Sequence, residues 1–286
     1  MSAYGCDEAI SDPAECAAEI VRAMGQDRVV EAATSDEVFR AAVRAIGSNS
    51  RQWTDYLRVE RELFGDGAAL TIAAWKDAVD DPVRSDTAGK LAGGWSPSRS
   101  VRWINQWAEL LSSERRDYFD DLWKTHAAVS FYSDSSDAPL SGDEVTLVLA
   151  ARLAHTNSQF PGAAPIGAKA VGKAPGMGLA IAMEFLRNLG FQGFKPDRHI
   201  KRLLEGDSRT SAIIAEMDVR AREIGEMAGS CASDLRGALK VALAGLALTP
   251  EGTTPTKTDN LVWLYASKFG SSTPGAGGIE LVRPRP

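Results

Sequence analysis

Apolar residues return every three or four positions along nearly the whole chain, and that period constrains the fold more than any other feature. Within 36–46, Val38, Phe39, Ala42, Val43 and Ile46 share one helical face, with Ser35 ahead and Gly47 behind. Pro13 and Gly25 bracket a second amphipathic run, 14–24, in the Pro-first, Gly-last order of helices. Ser141 and Glu144 have capping-box spacing ahead of the apolar run 145–154. Further helices are predicted at about 51–63, 68–79, 98–111, 113–127, 179–189, 198–204, 211–228, 232–247 and 258–269. Alternating β-branched runs bounded by tight turns are missing. The pattern predicts an all-α protein.

Three stretches interrupt it. Residues 80–97 are rich in Gly, Pro, Asp and Ser and read as a loop, and 133–142 reads as a linker between helical blocks. From Gly270 the chain becomes Gly- and Pro-rich, which predicts a flexible tail over 271–286. The expected organisation is an N-terminal helical region over 1–140, a second lobe over 141–270, and that tail.

With 286 residues, 44% of them hydrophobic, the chain can bury a substantial core. It has no run of about 18 apolar residues, so no membrane partner is expected. The acidic start, MSAYGCDEAISDPAEC, lacks the basic-then-apolar order of a secretion signal. Cys6, Cys16 and Cys231 show no CxxC spacing and cannot complete a disulfide framework. The expectation is a cytoplasmic, reduced protein with no metal site. GxSxG nucleophile motifs and GK[ST] phosphate loops are also missing from the sequence.

The net charge of −6 argues at first against a nucleic-acid partner, but its distribution argues the other way. Residues 1–164 carry −10, whereas 165–204 carry +5 from Lys169, Lys173, Arg187, Lys195, Arg198, Lys201 and Arg202 against Glu184 and Asp197. A local basic surface can hold phosphate on an acidic body, because screening confines charge effects to about 10 Å. The alternative is a solvated helix pair that happens to carry lysines.

The most informative stretch is 173–204, KAPGMGLAIAMEFLRNLGFQGFKPDRHIKRLL. Pro175, Gly176, Met177 and Gly178 read as a hairpin between two helices, with glycines that permit positive φ and close approach of another molecule. Amides opening the following helix form a phosphate site. Pro196 suits a helix start, which puts Asp197 in the first turn beside positive partial charge.

This stretch resembles the helix–hairpin–helix (HhH-GPD) DNA glycosylase superfamily. The hairpin Ala174-Pro175-Gly176-Met177-Gly178 is similar to that family's LPGVG, and Asp197 follows the second glycine by 19 residues. Asp197, His199, Ile200 and Arg202 match its D-x-H-apolar-x-R continuation, and Asp259-Asn-Leu-Val-Trp263 is a weaker echo of a C-terminal helix. The match covers about 30 residues. It implies a two-lobed helical fold with a DNA groove between the lobe carrying 165–204 and the rest.

It also implies roles. Asp197 would stabilise the oxocarbenium-like sugar or activate water, after the base flips from the stack. The hairpin backbone at Gly176, Met177 and Gly178 would grip a phosphate, with a structural monovalent cation as the only cofactor the family suggests. Lys173, Lys195, Arg198 and Lys201 would add phosphate contacts on double-stranded DNA. Bifunctional members place a Schiff-base lysine two residues after the second glycine, where this chain has Ala180. The implied activity is therefore monofunctional, leaving an abasic site, in a protein expected to be a monomer. Damaged bases and modified cytosines of phage DNA, the latter in antiviral defence, are both open as substrates.

Two readings compete with this one: a non-catalytic helix–hairpin–helix DNA-binding module, and a helical interaction protein in which the glycines only make a turn. Taken alone, Asp197 is as well explained by a plain helix start. His199 reads as a support residue, and His126 and His155 as structural or surface residues. Trp103 and Trp107, at i, i+4, read as core, as do most of the tryptophans at 53, 75, 95, 123 and 263. Phe131 and Tyr132 are candidates for lining a base pocket.

Overall fold

The computed structural model describes residues 33–49, 53–65, 70–93, 96–114, 117–134, 138–155, 171–206, 208–230 and 233–269. The predicted helix at 14–24, the three cysteines, Lys169, Trp95 and the 271–286 tail lie outside them. The described residues form thirteen α-helices and one π turn, with no strand among them. In chain order the helices are α1 (Ser35–Gly47), α2 (Trp53–Phe64), α3 (Ile72–Asp80), α4 (Ser85–Ala92) and α5 (Pro97–Glu109). After the π turn Leu110–Glu114 come α6 (Tyr118–Asp134), α7 (Gly142–His155), α8 (Leu179–Asn188) and α9 (Arg198–Gly206). The last four are α10 (Ser208–Glu216), α11 (Asp218–Ala228), α12 (Ser233–Ala247) and α13 (Pro255–Phe269). No helix among the described residues is long and apolar enough to cross a membrane.

Local chemistry fixes several helix ends. Thr34, one residue ahead of the expected Ser35, caps α1: its hydroxyl accepts from the Glu37 amide at 3.3 Å, and Glu37 Oε2 accepts from the Thr34 amide at 2.8 Å. The Ser141–Glu144 box forms as expected, with bonds of 2.8 and 3.3 Å. Glu144 then accepts from Arg220 Nε at 2.7 Å and Nη2 at 3.0 Å, which pins α11 to α7.

Two expectations need correction. Residues 80–97 are not a plain loop, because α4 occupies 85–92. Ser, Asp, Thr and Gly are weak helix formers, but Ala88, Leu91 and Ala92 are buried on one face and their packing overrides propensity. The predicted helix 211–228 is two helices that meet at Met217. Ile214 of α10 serves a small core, Ala221 and Ile224 of α11 serve the main one, and Met217 packs against both.

The main core draws on residues between Val38 and Leu243, on both sides of 140/141. At its centre is α8, which buries Leu179, Ala182, Met183, Phe185 and Leu186 and packs on α7 and α1. The Asn188 side-chain amide donates to Ala41 O at 3.3 Å, a further tie to α1. The smaller core gathers Phe194, Ile200, Leu204, Ile214, Val241 and Ala244 beneath α9.

Gly245 of α12 gives the Phe194 ring its place: a Cβ there would overlap Cγ and Cδ1 of a ring that is 1% exposed. Gly245→Ala is expected to lower stability by about 1–3 kcal/mol, as overpacking does. A urea unfolding curve with a midpoint unchanged from wild type would contradict this.

Candidate functional site

The segment entering the glycine turn does not arrive as the helix the sequence predicts. Residues 171–174 form no helix, and 156–170 lie outside the described residues. Helix bonds give way to three long-range anchors. The Val171 amide donates to Thr125 Oγ1 at 3.1 Å, Arg152 Nε donates to Val171 O at 3.1 Å, and the Ala174 amide donates to Leu153 O at 2.8 Å.

The turn itself is clamped by the i, i+4 tryptophan pair of α5. Trp107, fully buried, donates from Nε1 to Pro175 O at 2.9 Å. Trp103 lies so close to Gly176 that a Cβ would come within 2.9 Å of its ring. Gly176 also has φ +73°, so both conformation and space call for glycine there. Met177 turns its side chain into the core, and its amide donates to Ala174 O at 3.3 Å. What it can offer a ligand is backbone alone. Gly178, exposed and extended, sits at the N-cap of α8 without a side-chain cap. The first-turn amides of α8 form a positive helix end that, among the described residues, has no side-chain cap.

Two turns along α8 lies the charged centre, about 9 Å from Gly178 along the helix axis. Glu184 and Arg187 project from α8, and Lys195 and Asp197 from the segment before α9. Asp259 and Asn260 come from α13. Arg187 Nη1 bonds Asp259 Oδ2 at 2.5 Å, and Nη2 donates to Asn260 Oδ1. Asp259 Oδ1 accepts the Lys195 amide at 2.9 Å, so one carboxylate ties together α8, α13 and the loop. Lys195 Nζ lies 3.2 Å from Glu184 Oε2 and 3.7 Å from Asp197 Oδ2.

Asp197 is the N-cap of α9. Its Oδ1 accepts from the His199 amide at 2.8 Å and the Ile200 amide at 3.0 Å. Oδ2 faces Lys195, and the side chain is 16% exposed. His199 packs edge-on against Trp263 at 5.8 Å between ring centroids. Burial lowers its proton affinity, while Asp197 pulls the other way.

Burial acts on the other groups with different results. It pushes the Glu184 carboxyl up, but Lys195 and Arg187 outweigh it and hold the group at about 2. In Asp259 burial wins over Arg187 and Lys195 and raises the carboxyl to about 6. Burial opposes the charge of Lys195, yet Glu184 and Asp197 raise its proton affinity overall. The lysine is thus held charged inside the protein.

The remaining expected residues are dispersed. Lys173 is exposed on the non-helical segment before the turn. Arg198, Lys201 and Arg202 are exposed on α9, opposite the buried Ile200 and Leu204, and Lys201 pairs loosely with Glu205 at 3.8 Å. Lys195 differs from these: its ammonium points to Glu184 and Asp197, not outward. His126 belongs to an aromatic group with Trp123 and Phe191, at 5.5 and 5.7 Å. Phe131 and Tyr132 are 71% and 49% exposed. Among the described residues, no group of three or more His, Cys, Asp and Glu is placed to hold a metal ion.

Sequence reasoning missed Glu184 and Arg187 as members of the centre. The available signal was their i, i+3 spacing on a helix whose other residues are almost all apolar. No protein-family model, curated protein or solved structure matches the chain.

Two consequences are measurable. Asp259→Ala leaves Arg187, with a side chain 6% exposed, without its closest anion, at an expected cost of about 3–5 kcal/mol. An unchanged melting temperature would refute it. Glu184 binds its proton more weakly in the folded state, so its contribution is complete above about pH 4.5 and fades as pH falls towards 2. Across that interval the wild type is expected to lose about 3 kcal/mol that Glu184→Gln does not. Parallel stability–pH curves for the two proteins would contradict it.

Proposed function

We propose that the chain is a monofunctional DNA glycosylase of the helix–hairpin–helix type, hydrolysing the bond between a damaged or modified base and its sugar to leave an abasic site. The observation that carries this reading is the setting of Asp197. Two amides fix one oxygen, the other stays at the edge of a charged centre, and α8 connects that centre to an uncapped glycine turn.

In this reaction the turn and the start of α8 hold a phosphate, and exposed Arg198 and Lys201 add sequence-independent contacts. The flipped nucleotide brings its C1′ to Asp197. As the C1′–N bond breaks, the electron pair leaves with the base and the carboxylate stabilises the cationic sugar. Water adds at C1′, its proton passes through Asp197 to solvent, and the base takes up a proton. Ala180 offers no amine, so no covalent sugar intermediate forms. The reading takes the protein as a cytoplasmic monomer on duplex DNA that uses no metal, with a monovalent cation at the turn as the one accessory ion. Modified cytosines of phage DNA, in antiviral defence, fall within its substrate range.

One observation favours a second reading, a non-catalytic helix–hairpin–helix DNA-binding module. Capping α9 is by itself a sufficient structural reason for a carboxylate at 197.

Asp197→Asn separates the two. Asparagine caps helices about as well as aspartate, so the fold is retained. Base release from damaged and modified phage DNA is expected to fall at least about 100-fold, with salt-sensitive DNA binding unchanged. Equal release by both proteins removes Asp197 from the mechanism. Binding without release in the wild type selects the module.

A further inference from the structure

Lys195 sets a problem for the proposed reaction. A half-buried cation 3.7 Å from Asp197 Oδ2 opposes the charge that an oxocarbenium-like sugar requires. We infer that Glu184 is a positioning residue that resolves it: by taking up the charge of Lys195, it leaves Asp197 negative towards the substrate. This inference rests on the glycosylase reading for its functional meaning, though its electrostatic content stands on the geometry.

Glu184 Oε2 lies closer to Lys195 Nζ, at 3.2 Å, than Asp197 does. Arg187 stands 3.6 Å from the same Glu184 oxygen but is engaged mainly by Asp259 at 2.5 Å. Three carboxylates, Glu184, Asp197 and Asp259, therefore meet two cations, Lys195 and Arg187. Arg187 is matched by Asp259, Lys195 by Glu184, and the charge left over is on Asp197. Among the described residues, the neighbouring titratable groups on α9 are His199, packed on Trp263, and the exposed Arg198 and Arg202.

Lysine is a compact charge on a flexible stem, and the planar guanidinium of Arg187 is fixed by its bonds to Asp259 and Asn260. Losing the Glu184 charge would therefore move Lys195, not Arg187, and would move it onto Asp197. The carboxylate would then be neutralised from within the protein, and its attraction for a cationic sugar would fall. Glu184 and Asp197 share Lys195 as their nearest cation, so the effect of Glu184 on Asp197 runs chiefly through the position of that ammonium.

The test titrates the Asp197 carboxyl by carbon NMR, its signal assigned by loss in Asp197→Asn, in wild type, Glu184→Gln and Glu184→Gln/Lys195→Met. Base release is measured across pH on the same samples. In Glu184→Gln, Asp197 is expected to bind its proton roughly tenfold more weakly, with kcat reduced about tenfold or more and KM little changed. The acid limb of the pH profile moves to lower pH with it. The added Lys195→Met substitution is expected to return both the titration and kcat towards wild type, which a merely structural role for Glu184 would not do. An Asp197 titration unmoved by Glu184→Gln, or a loss of release that the double variant does not restore, overturns the inference. If the wild type releases no base, the glycosylase reading falls, and the titration still decides whether Glu184 holds Lys195 away from Asp197.

Discussion

The ion pair between Arg187 and Asp259 is the contact on which the candidate site depends. Neither side chain reaches water to any extent, so each is stable only because the other is there. Asp259 spends its second oxygen on the Lys195 amide, which converts a pair into a three-way junction of helix α8, helix α13 and the loop between α8 and α9. Burying charge in this way contributes little net stability, since desolvation offsets most of the attraction. What it supplies is registry: with that amide fixed, Asp197 two residues later has one place to be.

Helix α8 turns this registry into a molecular ruler. Its apolar residues lie in the main core and pack it against α1 and α7. Its N-terminus carries the glycine turn under Trp103 and Trp107, and its polar positions carry Glu184 and Arg187. The distance between the turn and the Glu184–Arg187 pair is therefore set by one helix. The loop from Gly190 to Asp197 is held from outside, by Phe191 against Trp123 and by Phe194 in the space left by Gly245.

The sequence made the helical class legible because helix periodicity is a local property, written in residues three and four apart. The Ser141–Glu144 cap and the turn at Gly176 were legible for the same reason. Helix α4 escaped because its composition is that of a loop and only burial of Ala88, Leu91 and Ala92 makes it a helix. The break at Met217 escaped because no glycine or proline marks it; it arises from two cores competing for one amphipathic run. In the site, Asp197 could be singled out from its place after a glycine turn. The partners of Lys195 could not, because Glu184 stands 11 residues before it and Asp259 64 residues after it. Pairings at such separations are set by packing that no local pattern encodes.

The two oxygens of Asp197 divide their labour: one holds the start of α9 and the other faces Lys195. On the proposed reading, structure is invested in one atom and chemistry in another on the same side chain. Replacing the oxygen that faces Lys195 with nitrogen would leave the helix cap intact and remove the charge. In evolutionary terms, a lineage carrying this fold needs no intermediate that misfolds to pass between a hydrolase and a silent binder. The two readings of the protein lie a single atom apart.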